Sequence, residues 1–167
     1  VATVDADDEI TVNGSATGTT TIIVDTDNAG TNGDDLDLSD DTLVNVDAIV
    51  LVDDSALKLT MGQLTDIGLA NITNDDVTDA EIAQLDLVGL DDTAFDAVTD
   101  LQEDVEIRDI TIASNPTVTL DSATDLTGVA SLIVPDGTVL NLTAAQFNQL
   151  DGTGIITGAG TVNITNL

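Results

Sequence analysis

One stretch of the chain occurs twice. Residues 43–64 align without a gap on residues 126–147, at a constant offset of 83. The matched positions keep their size and polarity: Val46 with Val129, Ile49 with Leu132, Asp53 with Asp136, Leu57 with Leu140, Leu59 with Leu142, Thr60 with Thr143 and Gln63 with Gln146. A repeated unit buries its apolar face by stacking on its neighbours, so this feature predicts a repeat protein.

Shorter units of about 18–22 residues lie within the long repeat, and each begins with a residue type that caps helices. The candidate caps are Ser39, Thr60, Thr78, Asp100, Ser122 and Thr143. In four of the six units, Gln or Glu stands three residues after the cap, which completes a capping box. We therefore expect a short helical turn after each cap, weakest after Asp100, with apolar residues four and seven positions later on one face.

Apolar residues alternate after each expected helical turn, which is typical of strands with one buried face. The first strand of each unit carries Ile49 and Leu51, Ala70 and Ile72, Val88 and Leu90, Ile110 and Ile112, or Leu132 and Val134. A second strand carries Leu57 and Leu59, Val118 and Leu120, Leu140 and Leu142, or Val162 and Ile164. Stacking about six such coils predicts a mainly β fold, a parallel β-solenoid over residues 39–167 that resembles a β-helix. An ordinary α/β domain with recurring elements is the alternative.

The N-terminal segment, residues 1–38, differs from the repeats. It is rich in Thr, Gly and Asp, with alternating stretches at residues 9–12 and 19–24. We expect residues 1–38 to form an antiparallel N-terminal β cap or arm with an Asp-rich loop. Val1 at the start fits either a removed leader or a piece of a longer protein.

The charge is extreme, since 32 acidic residues face only two basic ones and the net charge is −30. Such a surface repels nucleic acid, which binds through clustered Lys and Arg. The longest apolar run is far too short for membrane insertion. The chain has no Cys, so disulfides cannot staple it, and bound Ca²⁺ is the expected substitute. This composition favours an extracellular or cell-surface location.

Catalysis lacks the usual side chains, because the sequence contains neither His nor Cys. Paired carboxylates could hydrolyse glycosides, but no Trp or Tyr is present to stack on a sugar ring. We therefore expect a protein that is not an enzyme.

Calcium ligands are expected where acidic residues cluster. Residues 25–30 carry Asp at the first and third positions and Gly at the sixth, like the start of an EF-hand loop, although Ala29 and Leu36 replace two ligands. The candidate ligands here and at the turns between strands are Asp25, Asp27, Asn28, Asp34, Asp35, Asp53, Asp54, Asp75 and Asp76. Hydrated acidic loops without a bound ion are the alternative.

The sequence has four sequons, each with a Ser or Thr two residues after the Asn, at Asn13, Asn71, Asn141 and Asn163, and three of them lie within or beside predicted strands. Glycosylation is one interpretation. Repeated Asn along a solenoid more often forms hydrogen-bonded ladders, and we expect that arrangement here.

Residues 140–146 and 160–165 resemble the Asp- and Thr-rich repeats of secreted bacterial surface proteins, such as adhesins, RTX-type proteins and S-layer proteins. The glycine-rich calcium nonapeptide of RTX repeats is missing from this sequence. The resemblance implies a surface location, calcium dependence and a structural or adhesive task. We expect self-association into a filament or surface layer through strand edges. The alternative is an adhesin or spacer segment that binds a glycan or protein partner.

Overall fold

A computed structural model describes residues 11–25, 36–52, 55–75, 82–96, 105–150 and 155–166. Parallel sheets are arranged as a β-solenoid of about five turns, which confirms the predicted fold class. The strands are β1 (Thr11–Asn13), β2 (Thr21–Val24), β3 (Leu36–Asp37), β4 (Thr42–Val44), β5 (Ala48–Leu51), β6 (Ala56–Thr60), β7 (Ile72–Asn74), β8 (Ala83–Leu90), β9 (Val105–Ile112), β10 (Thr117–Thr119), β11 (Ser131–Ile133), β12 (Val139–Thr143), β13 (Ile155–Thr157) and β14 (Thr161–Thr165). Within these ranges the helices are α1 (Met61–Ile67) and α2 (Ala144–Phe147), and a 3-10 turn covers Leu69–Asn71. None of the described helices has the length and apolar character that crossing a membrane requires.

Two compact units divide the chain: Val1–Leu85 with Leu101–Glu106, and Asp86–Asp100 with Ile107–Leu167. In the first unit, β1 pairs with β4, β3 pairs with β6, and β5 lies between β2 and β7, all in parallel. Strands β1 and β2 are therefore members of the parallel stack, and the antiparallel pairing predicted for them is wrong. The reason lies in the side chains, because Ile22 stands in register with the fully buried Ile49.

In the second unit, β11 lies between β9 and β13, and β12 lies between β10 and β14. Leu132 stands in register with Ile110, and Leu140 with Val118, and all four side chains are buried. Like residues thus stack on like residues from one coil to the next. The core is a column of aliphatic side chains, as the scarcity of aromatic residues predicts.

The spacing between paired strands varies more than the sequence predicts. Leu36 pairs with Leu57 in the next coil, whereas a distinctly longer stretch of chain separates Thr11 from its partner Thr42. Register partners are thus 21 residues apart in the first case and 31 in the second, so the repeat length of about 18–22 residues expected from Ser39 onward does not extend to β1.

Two of the expected helical turns form where the capping box is complete. Thr60 Oγ1 accepts a hydrogen bond from the Gln63 N–H at 3.1 Å, and Gln63 Oε1 accepts one from the Thr60 N–H at 2.7 Å. Thr143 and Gln146 make the same reciprocal pair at 3.2 and 3.0 Å. These bonds satisfy free amides at the starts of α1 and α2, which confirms both predicted caps.

The helices expected after Ser39 and Ser122 do not form. Asp37 Oδ1 accepts both the N–H of Ser39 at 2.9 Å and its hydroxyl at 2.6 Å, so an aspartate before the serine takes over the local hydrogen bonding. Asp121 Oδ1 likewise accepts the Ala123 N–H at 2.7 Å. Leu85, expected on a helical face seven residues after Thr78, lies in β8, and Ile107, which follows the weakest of the expected turns, lies in β9. The caps at Thr78 and Asp100 lie outside the described residues.

Candidate functional site

The predicted calcium ligands are only partly within the described residues. Asp25 and Asp75 are described, and both are exposed at the ends of β2 and β7. The other candidates lie outside the described ranges: Asp27, Asn28, Asp34, Asp35, Asp53, Asp54 and Asp76. Val52 lies between Asp25 and Asp75 at the same end of the sheet, so the two carboxylates are about two strand spacings, roughly 10 Å, apart. Across the described ranges, no cluster of three or more acidic side chains could hold a metal ion, and calcium binding stays a prediction.

Both basic residues of the chain lie in strands and form ion pairs with an aspartate of a neighbouring coil. In the first unit, Lys58 Nζ in β6 lies 2.6 Å from Asp37 Oδ2 in β3. Burial alone would raise the pKa of Asp37. Hydrogen bonds from Lys58 and Ser39, together with the Lys58 charge, outweigh burial and hold that pKa below its ordinary value.

The ion pair of the second unit is bidentate. Arg108 in β9 donates from Nη2 to Asp86 Oδ2 at 2.5 Å and from Nε to Asp86 Oδ1 at 3.1 Å. Asp86 Oδ1 also accepts the Asp109 N–H at 3.2 Å. The positive charge of Arg108 thus offsets the negative charge of Asp86 in β8, whose side chain is largely shielded from solvent, at 15% exposure.

Sequence reasoning missed these two pairs, although a signal for them exists. Lys58 follows Asp37 by 21 residues and Arg108 follows Asp86 by 22, which are the lengths of one coil. In a solenoid, residues one coil apart stand side by side on adjacent strands. A search for opposite charges at that separation would have found both pairs.

A ladder of polar side chains runs across the solvent side of the sheet formed by β10, β12 and β14. Asn141 Nδ2 donates to Thr119 Oγ1 at 3.0 Å, and Asn163 Nδ2 donates to Asn141 Oδ1 at 3.0 Å. The expected Asn ladder is therefore confirmed for Asn141 and Asn163. In the next row of the same face, Val139 separates Thr117 from Thr161, so polar groups about 4.8 Å apart occur along the row of Thr119, Asn141 and Asn163.

The outer strand of this sheet is less buried than the strand it pairs with. Leu140 and Leu142 in β12 are 0% and 2% exposed. Their register partners in β14, Val162 and Ile164, are only half-buried. Within the described residues, the apolar row is fully covered at β12 and only partly covered at β14.

Among the described strands, the backbone of β14 has a partner only on the side of β12. The Thr161 N–H donates to the Thr138 carbonyl at 2.9 Å, so Thr161 faces β12. Because hydrogen bonds alternate along a parallel strand, the backbone groups of Val162 and Ile164 face away from β12. Backbone donors and acceptors and half-buried apolar side chains thus coincide on one edge.

No protein-family model matches the chain, and comparison with curated proteins and with solved structures finds no significant match.

Proposed function

We propose that the chain is an extracellular structural protein that self-associates into a filament or surface layer by stacking another copy on the edge of β14. The observation that carries the proposal is the half-buried pair Val162 and Ile164, compared with their buried partners Leu140 and Leu142. A strand paired with β14 would cover the side chains of Val162 and Ile164. It would also form hydrogen bonds with the backbone N–H and C=O groups of these two residues that face away from β12. Unpaired strand edges of this kind favour association.

The mode of stacking follows from the parallel architecture. An interface between β14 of one copy and a different surface of the next is heterologous, so it propagates when the rotation does not close a ring.

We also propose that calcium acts as a counter-ion and that the protein is located outside the cell. Both are supported by the net charge of −30 and the Cys-free sequence.

Electron microscopy and sedimentation velocity of the purified chain, with 5 mM CaCl₂, test the stacking. We expect concentration-dependent polymers from the wild-type protein and mainly monomers from Ile164→Asp, because the new carboxylate would be buried against the incoming strand. Thr161→Asp is the matched control, since it adds the same charge to the same strand on the solvent side. Monomeric wild-type protein at high concentration, or equal loss of polymers in both variants, contradicts the proposal.

A second candidate function is an adhesin or spacer segment that binds a glycan or protein at the cell surface. The polar ladder of Thr119, Asn141 and Asn163 favours it, because a flat and regular row of amides and hydroxyls suits a partner with a repeating pattern of hydrogen-bonding groups. Asn141→Ala with Asn163→Ala should abolish adhesion while polymers persist. Ile164→Asp should do the reverse, so the two variants separate the two functions.

A further inference from the structure

A groove lies in the second unit beside β10. Its volume is about 530 Å³, within the range of typical ligand sites. Residues of β10 form one wall, and polar residues from three turns surround it, among them Asp91, Asp92, Asn115 and Asp121. The described lining thus includes six consecutive residues, from Thr117 in β10 to Ser122.

Among the described residues, no strand pairs with the edge of β10 that lies in this groove. The Val139 N–H donates to the Pro116 carbonyl at 3.1 Å, and the Leu120 N–H donates to the Asn141 carbonyl at 3.0 Å, so alternate residues of β10 bond to β12. The residues between them, Thr117 and Thr119, direct their N–H and C=O groups to the other side. Among the described strands, β10 is terminal in its sheet, and the described lining of the groove includes residues of β10 and none of β12. The cleft therefore offers the pairing pattern of one more strand.

The charge of the groove is negative. Hydrogen bonds from the side chain and backbone of Thr93 lower the pKa of Asp91, which keeps that carboxylate ionised. Asp92 and Asp121 are exposed at the rim, and no Lys or Arg is among the described residues that line the cleft. The only two basic residues of the chain form ion pairs elsewhere, Lys58 with Asp37 and Arg108 with Asp86.

These observations select the occupant. A second copy of this chain would bring more carboxylates to an acidic cleft and has no unengaged Lys or Arg side chain to offset them. A strand from another protein with Lys or Arg at alternate positions would satisfy both the backbone groups and the carboxylates. We propose that the groove binds an extended cationic peptide segment of another protein by strand addition to β10. This inference is independent of self-association, which uses β14.

The test is fluorescence anisotropy with a labelled eight-residue peptide of alternating Lys and Val, at 150 mM NaCl. We expect saturable binding, and none for the same peptide with Glu in place of Lys. N-methylation of alternate amides on one edge of the peptide should abolish binding, because it removes strand pairing and leaves every charge in place. This arm uses the wild-type protein, so it does not depend on how a variant folds.

Two pairs of variants locate the site on the protein. Thr117→Pro removes the outward N–H and should weaken binding about fivefold, whereas Thr117→Ala keeps it and should have little effect. Asp91→Asn with Asp92→Asn should weaken binding about fivefold, whereas Asp136→Asn, an exposed change outside the groove, should not. Equal weakening by Asp136→Asn, unchanged binding of the N-methylated peptide, or no binding to the wild-type protein overturns the proposal.

Discussion

Two glutamines each join a helix to the preceding coil. Gln146 Oε1 caps α2, while its Nε2 donates to the Asp121 carbonyl at 2.7 Å and to the Thr124 carbonyl at 3.3 Å. Gln63 makes the equivalent bonds to Leu38 and Asp41 at 2.6 and 2.9 Å. The two copies of the long repeat therefore share a complete hydrogen-bonding device. An amide is required because only an amide both donates and accepts here.

Gln146→Met should lower the free energy of unfolding by about 3 kcal/mol. Met keeps the size of the side chain. The Thr143 N–H and the carbonyls of Asp121 and Thr124 lose their hydrogen-bond partner, however, and Gln146 is buried at 4% exposure. Urea unfolding followed by circular dichroism measures the change. Asn148 is exposed and lies two residues after Gln146, so Asn148→Ala should lower the free energy of unfolding by less than about 0.5 kcal/mol. Equal midpoints for the two variants would contradict this role of Gln146.

The Lys58–Asp37 pair should make stability depend on pH in a specific window. The folded chain lowers the pKa of Asp37 below its ordinary value of 3.8, so the pair stabilises the fold above that pH. This contribution is lost as the pH falls through the lower, folded-state pKa. Both side chains are more than one third exposed, and solvent screening limits the effect to about 0.5–1 kcal/mol.

Urea midpoints of Lys58→Met and the wild-type protein, measured from pH 7 to pH 2.5, test this dependence. We expect the wild-type protein to be more stable at pH 7 and the difference to shrink below pH 3.8. Lys58→Arg keeps the charge and serves as the control. A difference that stays constant over the whole range would exclude the ion pair as its cause.

At the scale of single elements, the turns between strands decide how closely coils approach. Gly137 and Gly158 occupy equivalent turns of successive coils, and both have a positive φ, 78° and 98°. A side chain at Gly137 would meet open space, whereas a Cβ at Gly158 would overlap the Val134 backbone of the coil below. Only the second turn combines the left-handed conformation with a close contact.

Gly158→Ala should therefore cost more than Gly137→Ala. We expect about 1 kcal/mol for Gly137→Ala, from the backbone conformation alone, and about 3 kcal/mol or more for Gly158→Ala. Paired thermal and urea melts measure the two costs. The opposite order would show that the coil can shift away from the new methyl group.

The same scale shows what the sequence could predict. Strands in which apolar and polar residues alternate, such as β6 and β12, were predictable, since burial of one face sets their period. The caps at Thr60 and Thr143 were also predictable, because Gln at the third following position completes the box. The segments after Ser39 and Ser122 have no such Gln, and an aspartate beside each serine captures the local hydrogen bonds.

The candidate surfaces were less accessible to sequence reasoning. The Asn ladder follows from a period of 22 residues and was expected. The groove beside β10 was not, because it depends on which side of a strand remains unpaired. That property depends on which strands pair, and no local pattern around Thr117 records it.

At the scale of the whole molecule, charge opposes folding. A net charge of −30 repels itself in any compact state, and the two ion pairs offset only two of the 32 acidic residues. Stacked turns concentrate this charge further, since equivalent residues of adjacent coils lie about 4.8 Å apart. Bound or condensed cations are the remaining means of relief.

Removal of calcium should lower the thermal midpoint by more than about 10 °C. For a chain of this size, each kcal/mol shifts the midpoint by about 2–4 °C, so this change corresponds to several kilocalories of binding free energy. Differential scanning calorimetry with CaCl₂, with MgCl₂ and with EGTA, all at equal ionic strength, measures it. Equal midpoints in Ca²⁺ and Mg²⁺ would reduce the effect to general screening and contradict specific calcium binding.

The position of the two basic residues has a further consequence for proteolysis. Trypsin cleaves only after Lys and Arg, so this chain offers it Lys58 and Arg108 and no other site. Both lie inside paired strands, β6 and β9, with their charged groups held by aspartates. A protease of this specificity gains access only when a coil opens, so the rate of tryptic cleavage reports the opening of the solenoid.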